Sequence, residues 1–359
     1  MQFGLTETQE ALKKSAREFL NAECPMAAVR KAIETETAFD AALWSKIAAQ
    51  GWTGLLIPEE YGGHGMGMVE MAVVLEEMGR ALLPSPFLST TLLAATIIER
   101  GGTEEQKKKY LAAIASGEAK ATLAQWHNGR PLGTDLCPLV THAAVADFIV
   151  CSTPERLFIA PSDGLKITHT PALDLTRPLY EVSLKDAKVP EENVIATGDR
   201  ARDVLETALD IATAGLTAEM TGGMQRLLEI TVEYAKTRKQ FGRPIGQFQA
   251  VQHLCADMLL MTESSRSAAY YACYAVGERL PVAAEAVSIA KSYTSEAYRE
   301  TGNRAIQVHG GMGFTWENDC HLYYRRAKAS EVAFGDAIHH RERLAKMIID
   351  RGTAASAAD

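Results

Sequence analysis

The chain has 359 residues, a formal net charge of −8, 47% hydrophobic and 23% charged residues. This length suits two or three domains or one large composite domain, and the acidic balance excludes a general nucleic-acid surface, which needs a basic face. The apolar stretches are short, and the longest, 82–98, contains Pro84 and Pro86; neither a membrane span of about 20 residues nor a charged-then-apolar leader is expected.

In chain order, residues 1–117 read as an N-terminal helical domain. Thr6 with Gln9, and Thr103 with Gln106, have capping-box spacing. Apolar residues recur at helical intervals through Leu12, Phe19 and Leu20, and again through Met71, Val74, Leu75 and Met78. Between them Pro58-Glu59-Glu60-Tyr61-Gly62-Gly63-His64-Gly65 reads as a turn. Residues 118–200 change to short β-prone runs at 144–151, 157–160, 165–168 and 180–184, separated by Pro, Gly, Asp and Asn. That pattern predicts a small middle antiparallel β domain. Residues 201–359 return to long helical patterns, with breaks at 242–246, 277–281 and 310–313 and Pro281 placed at a helix start. Four long helices with short connections predict an antiparallel four-helix bundle, ending in a frayed tail at 352–359. The fold class is α+β.

The cysteines (Cys24, Cys137, Cys151, Cys255, Cys273, Cys320) are scattered and form no CxxC pair. They read as reduced thiols of a cytoplasmic protein, and no metal site is expected.

Two strings carry the chemistry. The first is Tyr234-Ala235-Lys236-Thr237-Arg238-Lys239-Gln240-Phe241-Gly242-Arg243-Pro244-Ile245, continued by Gln247-Phe248-Gln249. It sits where a helix ends, so its cations lie at a negative helix terminus and are held outward. A guanidinium there can take a diphosphate through paired hydrogen bonds, and Phe241 offers a stacking face for an adenine. The second is Gln307-Val308-His309-Gly310-Gly311-Met312-Gly313-Phe314-Thr315, whose paired glycines let backbone N–H groups approach a phosphate or ribose. Each string alone also reads as an ordinary helix end. His309 reads as a packed or interface histidine.

Together, at this separation, the strings resemble the FAD-dependent acyl-CoA dehydrogenase family. The resemblance spans essentially the whole chain and is strongest over 220–343. It implies the family's helical, β and four-helix domains in this order, FAD as cofactor, acyl-CoA substrates and an electron-transfer flavoprotein as acceptor. It further implies that Arg238, Phe241, Gln307, Gly310 and Gly311 act across a subunit interface on a neighbour's FAD.

Two departures from the family pattern stand out. The family holds the flavin ring with a Thr-Glu-Pro and Gly-Ser-Asp loop, where this chain reads Thr122-Leu123-Ala124-Gln125-Trp126-His127-Asn128-Gly129-Arg130-Pro131-Leu132-Gly133-Thr134-Asp135. The family's catalytic Glu commonly lies in a Tyr-Glu-Gly-Thr stretch, and here that position is Phe334, within Val332-Ala333-Phe334-Gly335-Asp336. Dehydrogenation α,β to a thioester requires a base for the Cα proton, worth about 10²- to 10⁴-fold. Phenylalanine accepts no proton. Some members place the Glu at the start of the first C-terminal helix; the matching residue here is Ala212, and Thr213 replaces a substrate-facing Arg. Three carboxylates lie nearby in sequence, Asp336, Glu331 and Asp210, and Asp336 is the candidate for a displaced base. It also fits as the cap of a helix over 338–349.

The sequence further resembles subunits of heteromeric bacterial enzymes that act on CoA thioesters of shortened steroid side chains. Phe314-Thr315-Trp316-Glu317, His321-Leu322-Tyr323, and Phe334-Gly335-Asp336 leading to His340-Arg341-Glu342-Arg343-Leu344 carry that likeness. Three readings follow. The chain is a base-lacking, FAD-contributing subunit paired with a related subunit in a hetero-oligomer. Alternatively, it is a self-sufficient homo-oligomeric dimer or tetramer using Asp336. The third is a flavin-free structural or acyl-CoA-binding scaffold.

Overall fold

The computed structural model describes residues 4–125, 136–185 and 189–356. The stretch 126–135, most of the altered flavin-ring loop, and the last residues of the expected tail lie outside them. The chain divides into two compact units, Met1–Ala22 with Met68–Leu82 and Thr213–Asp359, and Glu23–Gly67 with Leu83–Ala212.

The second unit contains α2 and α3, and all the long strands. Its helices are α2 (Met26–Ile33), α3 (Ala41–Ala49), and α5 (Ala95–Gly101), α6 (Glu104–Gln106) and α7 (Ala112–Ala115). The labels α1 and α4 belong to Glu7–Glu23 and Met68–Arg80. The turn at 58–65 holds a single 3₁₀ turn, Glu59–Tyr61, ended by Gly62 in the left-handed region. Both capping boxes form. Gln9 N–H donates to Thr6 Oγ1 and Thr6 N–H to Gln9 Oε1, and Thr103 and Gln106 make the same reciprocal pair.

The β region is two sheets. Strands β1 (Ala121–Gln125), β3 (Phe148–Ser152), β4 (Arg156–Pro161) and β7 (Val194–Thr197) make one, in the order β1-β3-β4-β7. Strands β2 (Leu136–Thr141), β6 (Leu179–Ser183) and β5 (Lys166–Thr170) make the other, in that order. All neighbours are antiparallel except β1 and β3, which run parallel. The region is the mainly antiparallel β domain the sequence predicts, with one parallel pair that the sequence does not indicate. The reason is the path of the chain: β2 leaves for the second sheet, so β3 returns beside β1 in the same direction.

Alternation sorts the side chains of β3 and β4 into two cores. Phe148, Val150, Leu157 and Ile159 pack with helical Ile97, Ile98, Leu111 and Ile114. Ile149, Cys151, Phe158 and Ala160 pack with Cys137, Val140, Tyr180 and Val182 of the second sheet. A strand covered on both faces needs a continuous apolar run, which explains Phe148-Ile149-Val150-Cys151.

The first unit is helical: α1 to Ala22, α4, and then α8 (Gly198–Thr237, from Thr213 on), α9 (Gln249–Gly277), α10 (Ala283–His309), α11 (Cys320–Val332) and α12 (Ala337–Ser356). α9, α11 and α12 all pack on α10. The bundle carries one helix more than the expected four, because Phe334 and Gly335 both take positive φ, 58° and 98°, and split the last helix in two.

α4 is buried almost throughout, including the carboxylates of Glu76 and Glu77. Arg17 makes a paired contact to Glu77 at 2.7 and 2.8 Å. Lys13, Arg266 and Tyr270 donate to Glu76 at 3.1, 3.2 and 2.7 Å. α4 and α8 cross backbone to backbone: a Cβ on Gly79 would lie 1.8 Å from the Glu219 carbonyl, and one on Gly222 1.7 Å from the Glu76 carbonyl. Gly222→Ala is therefore expected to lower stability by about 3 kcal/mol, the upper range for overpacking. Gly164→Ala, whose Cβ meets nothing within 4 Å, should stay within about 0.5 kcal/mol. Denaturant midpoints of the two variants check this, and equal losses would refute the crossing constraint.

Among the described residues, no helix is long and apolar enough to cross a membrane, and no cluster of three metal-ligating side chains occurs.

Candidate functional site

The first string forms a two-residue hairpin at the end of α8. β8 (Lys239–Gln240) pairs with β9 (Arg243–Pro244), in the register Lys239↔Pro244 and Gln240↔Arg243. Phe241 and Gly242 form the turn, with φ of 51° and 79°. Two positive φ values in succession are the type I′ arrangement that matches strand twist and favours Asn-Gly. Phenylalanine at the first position is strained, and its side chain is 92% exposed. The Arg243 guanidinium lies over the Phe248 ring at 4.2 Å, with Phe241 edge-on to the same ring at 6.1 Å. Among the described residues the exposed Arg238 side chain makes no ion pair. Its backbone frames the hairpin instead: the Arg238 N–H donates to the Tyr234 carbonyl and its carbonyl accepts from the Ile245 N–H, both at 2.8 Å.

The second string ends α10. Gln307 is exposed on its last turn, and Gly310 stops the helix at φ 62°, ψ −144°. Gly311 has neither a positive φ nor a crowded Cβ position; nothing lies within 4 Å. The chain's own packing does not require glycine there, whereas close approach of an outside group would. The exposed Met312, Phe314 and Trp316 follow.

The two strings stand side by side. Tyr234, one helical turn before Arg238, stacks on His309 at 4.3 Å with an interplanar angle of 23°. His309 is a packing residue. Its Nδ1 lies 2.8 Å from the Ala305 carbonyl, so Nδ1 carries the proton, and Cys320 Sγ lies 3.5 and 3.6 Å from Nδ1 and Nε2. Burial holds the imidazole below its usual pKa and pushes the thiol up to about 12, so both groups are neutral. The C-terminal ends of α8 and α10 thus present Arg238, Phe241, Gln307, Gly310 and Gly311 from one end of the bundle, each exposed. This set fits an FAD: a free guanidinium and open glycine backbone for phosphates, and an uncovered ring for stacking.

The Phe334 loop is the second region. Phe334 is half-buried and lies between α11 and α12. Asp336 Oδ1 accepts from the His339 N–H at 2.8 Å, so Asp336 is the N-cap of α12. Those backbone N–H groups hold its carboxyl below the usual range, which makes it a weaker base. Glu331 accepts from Arg299 and, at 2.7 Å, from Lys328. Ala212 is wholly buried within α8 and Thr213 nearly so.

Two buried side chains missed by sequence reasoning hold this loop. Lys291 Nζ donates to the carbonyls of Glu331 and Gly335 at 3.0 and 2.9 Å, and His340 Nε2 to the Phe334 carbonyl at 3.0 Å. A signal existed for Lys291: it follows Val287 and precedes Thr294, Tyr298 and Thr301 at helical spacing, all of them buried.

Residues 6–118 match the family description "Acyl-CoA dehydrogenase, N-terminal domain", and 202–349 match "Acyl-CoA dehydrogenase, C-terminal domain". The chain is 31% identical over 343 residues to acyl-CoA dehydrogenase IpdE2 of Mycolicibacterium smegmatis, covering 95% of this chain and 98% of the relative. A structure of the ChsE4-ChsE5 complex from Mycobacterium tuberculosis is similar at a TM-score of 0.89 and 28% identity, covering 97% of this chain and 99% of the other. A variant of the Tcur3481-Tcur3483 steroid ACAD is similar at a TM-score of 0.86 and 27% identity, covering 97% and 99%.

Two predictions arise from these geometries. Phe241→Asn places Asn-Gly in the type I′ turn and is expected to raise the chain's stability by about 1 kcal/mol, read from denaturant unfolding; a loss of stability would contradict the strain. Burial lowers the His340 pKa to about 4, and that of His309 is lowered too. A depressed folded-state pKa gives stability that is full above the unfolded pKa of about 6.5 and is lost as pH falls below it. The melting temperature should therefore fall between pH 6.5 and 5. His340→Gln keeps a donor for the Phe334 carbonyl but does not titrate, so it should flatten the slope by at most about 1.4 kcal/mol per pH unit. An unchanged slope would refute the assignment of the protons.

Proposed function

The chain belongs to the acyl-CoA dehydrogenase family, FAD-dependent oxidoreductases acting on CH–CH bonds, and we propose that it is the base-lacking, FAD-contributing subunit of a heteromeric member. One observation carries the reading. The side chains that would serve a neighbour's cofactor, Arg238, Phe241 and Gln307, are exposed, and Gly311 is a glycine that the chain's own packing does not require, while the position that would carry its own base is Phe334.

In this reading Arg238 donates paired hydrogen bonds to the cofactor's diphosphate. Phe241 covers an aromatic face, and its strain is offset by contact it does not make within the chain. Gly310 and Gly311 let backbone N–H groups close on the ligand without a Cβ between, and Gln307 adds a polar side chain beside them. FAD, when bound, supplies the hydride acceptor. The Cα proton of the thioester is taken by a carboxylate of a related partner subunit. Phe334 cannot take it, and Asp336 is committed to capping α12, which weighs against the alternative of a displaced base in a homo-oligomer.

Two of the similar structures are of jointly named pairs, ChsE4-ChsE5 and Tcur3481-Tcur3483, and the second is called a steroid ACAD. They support a related subunit as partner and an acyl-CoA with a shortened steroid side chain as substrate. The enzyme works in the cytoplasm and passes electrons to an electron-transfer flavoprotein.

Expression alone and together with a related subunit tests the proposal. The chain alone should be flavin-poor, and the co-purified complex should show a flavin spectrum. Arg238→Ala in the complex should weaken FAD retention by about 10- to 100-fold, the loss of a charge-assisted contact of about 1.5–3 kcal/mol. A yellow homo-oligomer that oxidises acyl-CoA with an artificial acceptor would overturn the reading.

A further inference from the structure

Lys291 is wholly buried in the bundle. An ammonium has three N–H donors and no acceptor, and all three are used: on Ser295 Oγ at 2.9 Å, the Glu331 carbonyl at 3.0 Å and the Gly335 carbonyl at 2.9 Å. The Glu331 carbonyl belongs to the last turn of α11, whose carbonyls lack intrahelical partners and form the negative helix pole. α11 has no basic residue in that turn; the cation comes from α10.

The loop that follows is held on every side. The Phe334 carbonyl accepts from His340 at 3.0 Å, the Gly335 N–H donates to the Val332 carbonyl at 3.3 Å, and Asp336 caps the next helix. A Cβ on Gly335, at φ 98°, would lie 2.4 Å from the His339 ring, so the left-handed turn admits only glycine at its second position. Burial draws the Lys291 ammonium down to about 8, with Asp336 and Glu331 acting against that pull. A purely structural contact between α10 and α11 would be met at less cost by an apolar residue of similar volume.

We propose that Lys291 is a positioning residue: with His340 it locks the backbone of position 334 in the left-handed conformation, so that the side chain there is presented in one orientation. The inference rests on the reading of position 334 as the place of the family's base. On the loop itself the clamp binds only main-chain oxygens, those of Glu331, Phe334 and Gly335, and is indifferent to which side chain stands at 334.

A fluorine label reads the clamp directly. 4-Fluorophenylalanine is placed at 334, and in a second preparation at Phe158 as a control, in the protein as purified with whatever subunit accompanies it. The unsubstituted clamp should give one narrow ¹⁹F resonance from 334. Lys291→Met should split or broaden that line and leave the Phe158 line unchanged, which a general loosening of the protein would not do. A single unchanged line in folded Lys291→Met overturns the proposal. Several lines from 334 with Lys291 intact also overturn it, and that measurement needs no variant to fold. Flavin content of the same preparations reports separately on the subunit role, so failure of one reading is distinguishable from failure of the other.

Discussion

The helical unit depends on α4 being surrounded while carrying two carboxylates. Burial alone would push the Glu76 carboxyl up, yet Lys13, Arg266 and Tyr270 together hold it below its usual range. Taking such groups out of water costs several kcal/mol per ion, and removing one partner leaves an unpaired buried charge. The gain is in specification. Glu76 can be satisfied only when α1 and α9 both reach it, and Glu77 only when Arg17 does. The Gly79–Gly222 crossing then fixes α4 against α8 to within the thickness of a methyl group. Arg80, next to Gly79, pairs at 2.5 Å with Glu229, about two turns beyond Gly222 toward the end of α8 that bears the hairpin. The placement of Arg238 and Phe241 is thus set by contacts far from them in sequence.

That dependence explains what could be read from the sequence. The capping boxes at Thr6 and Thr103, the breaks at 242–246 and 310–313, and the cap at Asp336 are local: each is decided by residues within a few positions. The strands β3 and β4 were legible because double burial demands an apolar run. Strands β1 and β7 were not, because Ala121-Thr122-Leu123-Ala124 has little β-prone character and becomes a strand by pairing with β3. The parallel pairing itself depends on where β2 goes, which no local pattern records. The Asp336 cap marked where the last helix starts, but not the positive φ of Phe334 before it, which a lysine from another helix holds. The two strings at Arg238 and Gly310 were visible as motifs, but their adjacency required the stacking of Tyr234 on His309.

Strain distinguishes the two aromatic residues on which the functional argument turns. Phe241 and Phe334 are both large side chains at positive φ, a conformation that costs of order 1–3 kcal/mol and persists only when something over-determines it. At Phe334 the support is internal: Lys291, His340, Gly335 and the Asp336 cap together hold the loop. At Phe241 little internal support exists. The hairpin has two residues per strand, and the ring touches Phe248 at its edge and is otherwise in solvent. A side chain that is strained, bulky and uncovered in its own subunit is best accounted for by what it meets outside it. A loop held on every side around a residue that accepts no proton is what the proposed base-lacking role expects at position 334. Under the proposed role the two positions divide the work: Phe241 serves a site shared with a second subunit, and Phe334 leaves the base to that subunit.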